Sequence, residues 1–118
     1  MRKTVYVTAM LVLMTGTAQA DNFANIDLWS VDTQQNCMAQ ARQALVILAA
    51  ENGSDNPDIT QGSWSTFGWN FPPRAVDISI ICPEIDGVTY PFATGHTTGD
   101  SNEPGDMIER LAEIFNKL

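Results

Sequence analysis

Apolar and polar residues alternate over Ala75-Val76-Asp77-Ile78-Ser79-Ile80-Ile81-Cys82, with Val76, Ile78, Ile80 and Cys82 on one parity and Asp77 and Ser79 on the other. A period of two in β-branched residues predicts a half-buried strand. Upstream, Cys37, Ala41, Ala44, Leu45 and Leu48 recur at helical spacing between Thr33 and Glu51, a stretch without proline or glycine. Asp32, with Gln35 three residues on, is the expected N-cap, and Asn52-Gly53 the expected stop. At the C-terminal end, Met107, Leu111, Ile114, Phe115 and Leu118 define one face of a second helix, opened by Pro104 with Glu103 and Asp106 at its positive end.

Two more strands flank the first. Trp64–Phe71 carries Phe67, Trp69 and Phe71 on one parity and a glycine at its middle, which predicts a core-facing aromatic row and a bulge. Val88–Ala93 follows the Asp86-Gly87 hairpin signal, and Pro91 marks an edge or the end of its ladder. Residues 52–63 and 94–103 are polar and turn-rich and read as loops. Residues 26–31 fit a short edge strand and an extended lead-in equally well. The order α-β-β-β-α predicts an α+β, two-layer sandwich: a three-stranded antiparallel meander with two helices on one face. The other face would carry Asp77, Ser79 and Thr89, with Trp64 beside them.

The N-terminus changes where this domain is expected to work. Arg2 and Lys3 precede an apolar run, Val5–Met14, and Ala18-Gln19-Ala20 supplies a small-x-small cleavage site. Residues 1–20 therefore read as a secretory signal peptide, and residues 21–118 as one domain, periplasmic or secreted, with no membrane span after cleavage. The apolar run is too short to anchor in a bilayer. Cleavage removes two bases and no acid, leaving 98 residues with four basic and fourteen acidic side chains, a net charge of −10 with His96 neutral. So acidic a chain is repelled by phosphate backbones, so no nucleic-acid partner is expected. Acidity of this order suits solubility, a cationic partner or a divalent metal.

The chain has two cysteines. Oxidising surroundings predict a Cys37–Cys82 disulfide. The loop it closes limits the unfolded state by about 4 kcal/mol at most.

The combination Cys37-x3-Ala41-x2-Ala44-Leu45, then Ala75-x2-Ile78-x3-Cys82, then Ala93-x-Gly95 before an amphipathic last helix, resembles a loose group of small exported bacterial proteins. The resemblance implies a fold and no activity, and no functional residue is carried over from it. Residues 51–73 depart from that pattern in length and in aromatic content.

Candidate chemistry is sparse. His96, with Asp100 and Glu103 near it in sequence, could serve as a general base or metal ligand. Adjacent hydroxyls do not make a triad, and no G-x-S-x-G motif is present. Asp100–Asp106 starts like a calcium loop but has Pro104 at position 5 and Leu111 where a glutamate is needed. Trp64, Phe67, Trp69, Phe71 and Trp29 could form a stacking platform for a sugar or peptide, with Asn70, Asp77 and Arg74 as polar partners. Of these, Trp64 is the better candidate for an exposed contact. No nucleophile elbow, metal cluster or phosphate loop appears, and no cofactor is expected. The pattern favours a non-enzymatic binding or accessory protein of the cell envelope, with a protein, peptide or small molecule as partner. Its candidate residues are Trp64, Arg74, Asp77, His96 and Asp100. The alternatives are a small hydrolase or metal-dependent enzyme using loop 94–103, and a peptidase inhibitor.

Overall fold

The computed structural model describes residues 22–98 and 102–118. The expected signal peptide, residues 1–20, and the candidate residue Asp100 lie outside them. Seven strands and two helices follow in the order β1 (Asn22–Asp27), α1 (Gln34–Glu51), β2 (Asp58–Gln61), β3 (Ser65–Phe71), β4 (Val76–Ile81), β5 (Glu84–Ile85), β6 (Val88–Thr89), β7 (Phe92–Thr97) and α2 (Glu103–Asn116). The α+β class is as expected. The main sheet, however, has five strands in the order β1-β7-β4-β3-β2, every neighbouring pair antiparallel.

The three-stranded meander is present as β3-β4-β7, with one further strand on each side. β1 lies earlier than residues 26–31 and pairs with β7 from Asn22↔Thr97 to Asp27↔Phe92. β2 forms inside the expected loop 52–63, pairing Asp58↔Trp69 to Gln61↔Thr66. The third strand of the expectation is split. Val88 and Thr89 belong to a separate hairpin with Glu84 and Ile85, and the main sheet resumes only after Pro91. Asp86 and Gly87 turn that hairpin with φ of 51° and 80°, the geometry of a type I′ turn. β7 then runs through Thr94–Thr97, so those residues are strand and not loop, and β7 is internal between β1 and β4.

Both helices cover the same face. α1 packs against β3 and α2 against β1 and β7, and the helices touch each other. The core beneath them holds Cys37, Ala41, Ala44, Leu45 and Leu48 from α1, Val76, Ile78 and Ile80 from β4, and Met107, Leu111, Ile114 and Phe115 from α2. Those are the apolar faces read from the sequence. Leu118 is the exception, half exposed beyond the last turn. The small residues let backbone approach backbone: a Cβ on Gly95 would stand 2.9 Å from Ile108 Cγ2 and 3.1 Å from the Pro104 carbonyl oxygen.

The N-cap of α1 is Thr33, one residue later than expected, its hydroxyl accepting from Asn36 N at 3.0 Å. Asp32 supports it by accepting from Thr33 N and from the Asn36 side chain. Cys37 and Cys82 form a disulfide with Cα atoms 6.1 Å apart, tying the second turn of α1 to the end of β4. Gln34 adds a 2.7 Å hydrogen bond from its side-chain amide to the Cys82 carbonyl. At the other end of α1, Glu51 accepts two hydrogen bonds from Arg110 on α2, at 2.9 and 2.6 Å, and Arg110 also reaches Glu113. The guanidinium holds the Glu51 carboxyl below its ordinary range, chiefly through these hydrogen bonds. No helix of the described residues is long and apolar enough to cross a membrane.

Candidate functional site

β3 carries the main departure from the expected side-chain pattern. Thr66 and Gly68 face the helices, while Phe67 and Trp69 face away from them; Trp69 is 39% exposed. The register then shifts between Gly68 and Phe71: Gly68 is opposite Ile78 and Phe71 opposite Val76, so β3 uses one more residue than β4. That extra residue reverses the parity and sends Phe71 into the core. Asn70 sits at φ 54° within the irregularity. Its N–H, left without a ladder partner, donates to Asp77 Oδ1 at 2.9 Å. The expectation that Phe67, Trp69 and Phe71 are all core is therefore corrected: only Phe71 is.

The cleft on the face away from the helices takes its side chains from four of the five strands. β1 contributes Phe23, 62% exposed. β7 contributes Thr94 and His96, β4 contributes Asp77 and Ser79, and β3 contributes Phe67 and Trp69. Register places His96 between Phe23 on one side and Asp77 on the other, and Ser79 between Thr94 and Phe67. Phe23 and His96 stack with ring centroids 4.4 Å apart and planes at 33°. Phe67 and Trp69 stack at 5.6 Å and 18°. The two ring pairs wall a shallow cleft of about 240 Å³, floored by Asp77, Ile78, Ser79 and Thr94. The strand spacing of about 4.8 Å puts the backbones of β7 and β3, which bear the inner rings, about 10 Å apart across β4.

The polar groups in the cleft are unequally engaged. The Trp69 indole N–H donates to Thr60 Oγ1 at 3.0 Å, which fixes the ring over β2. The Thr94 hydroxyl donates to Asn25 Oδ1 at 2.7 Å. The Asp77 carboxylate accepts from Asn70 N through one oxygen, and a carboxylate has capacity for several donors. Among the described residues, Asp77 is the one carboxylate lining the cleft.

The expected site residues thus divide. Asp77 and His96 come together in the cleft, directly opposite each other on β4 and β7. His96 stands on a strand, not in a flexible loop. Trp64 is 52% exposed as expected, but it lies ahead of β3 and does not line the cleft. Arg74 is exposed in the turn between β3 and β4, where its carbonyl accepts from the Thr97 hydroxyl at 2.7 Å. Thr89, expected on the outer face, is fully buried because its hairpin leaves the main sheet and bridges to Val31. Cys37 and Cys82 are buried in their disulfide. No group of three or more His, Cys, Asp or Glu side chains suited to a metal ion occurs among the described residues.

Phe23 is the residue that sequence reasoning missed. The alternation Phe23-Ala24-Asn25-Ile26-Asp27 was the available signal, with Ala24 and Ile26 on the inward parity. Two other depressions carry less. One of about 200 Å³ surrounds Arg110 and Glu51, whose charges are already paired. One of about 460 Å³ lies between Trp29 and α2. Comparison with protein-family models, with curated proteins and with solved structures finds no match to this chain.

Proposed function

We propose that the protein is an exported, non-enzymatic binding domain of the cell envelope, and that its ligand sits in the cleft between Phe23–His96 and Phe67–Trp69. One observation carries the reading. The helices cover only one face of the sheet, and the uncovered face exposes ring pairs at its two sides with polar groups between them. A sheet face that only needed solvation would be polar throughout. Exposed aromatic faces around a few oriented polar groups are the composition of small-ligand sites. Export is supported by the N-terminal segment and by the disulfide.

A hydrolase reading draws on Asp77, His96 and Ser79 lining the same cleft. Register argues against a nucleophile–base pair, because Ser79 has Thr94 and Phe67 as cross-strand neighbours while His96 faces Asp77.

The test is a small-molecule screen by NMR against the oxidised domain and a Phe23→Ala/Trp69→Ala variant. Both substituted side chains are exposed, so the fold is expected to persist. Ligands that bind the parent and are lost in the variant support the reading. Ligands unaffected by the variant, or a turnover abolished by His96→Ala, overturn it.

A further inference from the structure

We infer that the cleft selects an alkylated organic cation, a quaternary or tertiary ammonium head group on a short polar stem. This rests on the binding reading above and names its ligand class. Three features of the cleft converge on it. Charge comes first: among the described residues the lining includes the Asp77 carboxylate and no Lys or Arg, and the whole chain is strongly acidic. Such a field draws cations and repels carboxylates and phosphates.

The second feature is the walls. Phe67 and Trp69 on one side and Phe23 on the other line the cleft with aromatic rings, and the quadrupole of such a ring attracts a cation held over its face within about 6 Å. The Trp69 indole N–H is turned to Thr60, so the ring meets the cleft without a polar edge to satisfy there.

The third is the mostly apolar lining, which decides between kinds of cation. A primary ammonium brings three donors and a guanidinium five. One Asp77 oxygen already accepts from Asn70 N. The Thr94 hydroxyl gives its proton to Asn25 and keeps its lone pairs. These few polar atoms stand in a lining that is mostly apolar, so a guanidinium would lose more water than they replace. A head group whose charge is sheathed in methyls asks for no such partners and gains from apolar contact as well as from charge. The Ser79 hydroxyl in the floor can meet a hydroxyl or ether oxygen on the stem. The size agrees: about 240 Å³ is below the range of about 300–1,000 Å³ for drug-sized ligands.

Choline and 3,3-dimethylbutan-1-ol make the experiment, since they differ in one atom, the quaternary nitrogen against a quaternary carbon. Calorimetry and NMR titration with the full-length oxidised domain are expected to show choline binding about tenfold more tightly than the alcohol. Asp77→Asn keeps an oxygen to accept from Asn70, so thermal unfolding should be unchanged while choline affinity falls about tenfold. Equal binding of the two probes, or choline binding unaffected by Asp77→Asn, overturns the inference and leaves the binding reading standing. So does a ligand of another charge class that shifts the cleft resonances where choline does not. Binding of lysine-rich peptides in the absence of any choline effect also overturns it, and assigns the face to a protein partner. If no probe of any class touches the cleft, both the inference and the reading fall.

Discussion

The ring of Phe71 occupies the space that a Cβ on Gly68 would need: Cζ stands 2.7 Å from that position and Cε1 2.8 Å. Two residues of one strand thereby fold over one another, and the ring passes from the aromatic row of β3 into the core. Phe67 and Trp69 are left on the open face as the wall of the cleft. The site is a consequence of one glycine and one extra residue.

Gly68→Ala should therefore do more than remove a flexible residue. The Phe71 ring must move, and overpacking of this kind costs about 1–3 kcal/mol. Urea unfolding should show a loss in that range. The Trp69 fluorescence of the folded variant should also change, because the register that places the indole depends on the same irregularity.

Asp77 joins the site to the fold. Its carboxylate accepts from Asn70 N at the bulge, and the residue lines the cleft. Asp77→Ala should lower stability by about 0.5–1 kcal/mol, the net worth of this solvent-exposed hydrogen bond. Asp77→Asn should not. Thermal melts of the two variants side by side separate the structural role from the binding role.

The disulfide should account for a large part of stability in so small a domain. Cys37→Ala/Cys82→Ala removes a 45-position closure and should cost up to about 4 kcal/mol. Denaturant unfolding of this variant, or of the parent under reducing conditions, should show the midpoint fall with little change in slope until the baseline is lost.

Arg110 and Glu51 link the helices, and the direction of the Glu51 shift fixes the pH response. Its folded pKa lies below the unfolded value. The stabilisation is thus present above the unfolded carboxylate pKa and is lost as pH falls through the folded one. At neutral pH, Glu51→Gln should be less stable than the parent. Below the carboxylate range the two should converge, and high salt should narrow the neutral-pH gap, since the pair is solvent-exposed. Thermal melts across pH 2.5–7.5 check this.

Much of the fold was legible. The faces of α1 and α2, the strand Val76–Ile81, the Asp86-Gly87 turn and the disulfide all follow from periodicity, from local turn chemistry and from cysteine count. The missed elements have local causes. β2 is short and polar on three of its four positions, so it forms only because β3 offers a ladder. Thr94–Thr97 reads as loop because Gly95 and Thr97 face inward without being large or apolar; Gly95 is there to admit α2. The site was half legible: Asp77 and His96 were candidates, but their meeting is a matter of long-range register. The separation of Phe71 from Phe67 and Trp69 depends on a bulge whose position no alternation shows.

The most direct measurement is a backbone amide NMR titration of the oxidised domain with choline. Shifts centred on Phe23, Asp77, Ser79, His96 and the residues around Trp69 are expected, with the amides near Trp29 and Asn116 unmoved. Shifts centred on the Trp29–Asn116 groove, or no shifts on the open face at concentrations that would detect weak binding, would contradict it.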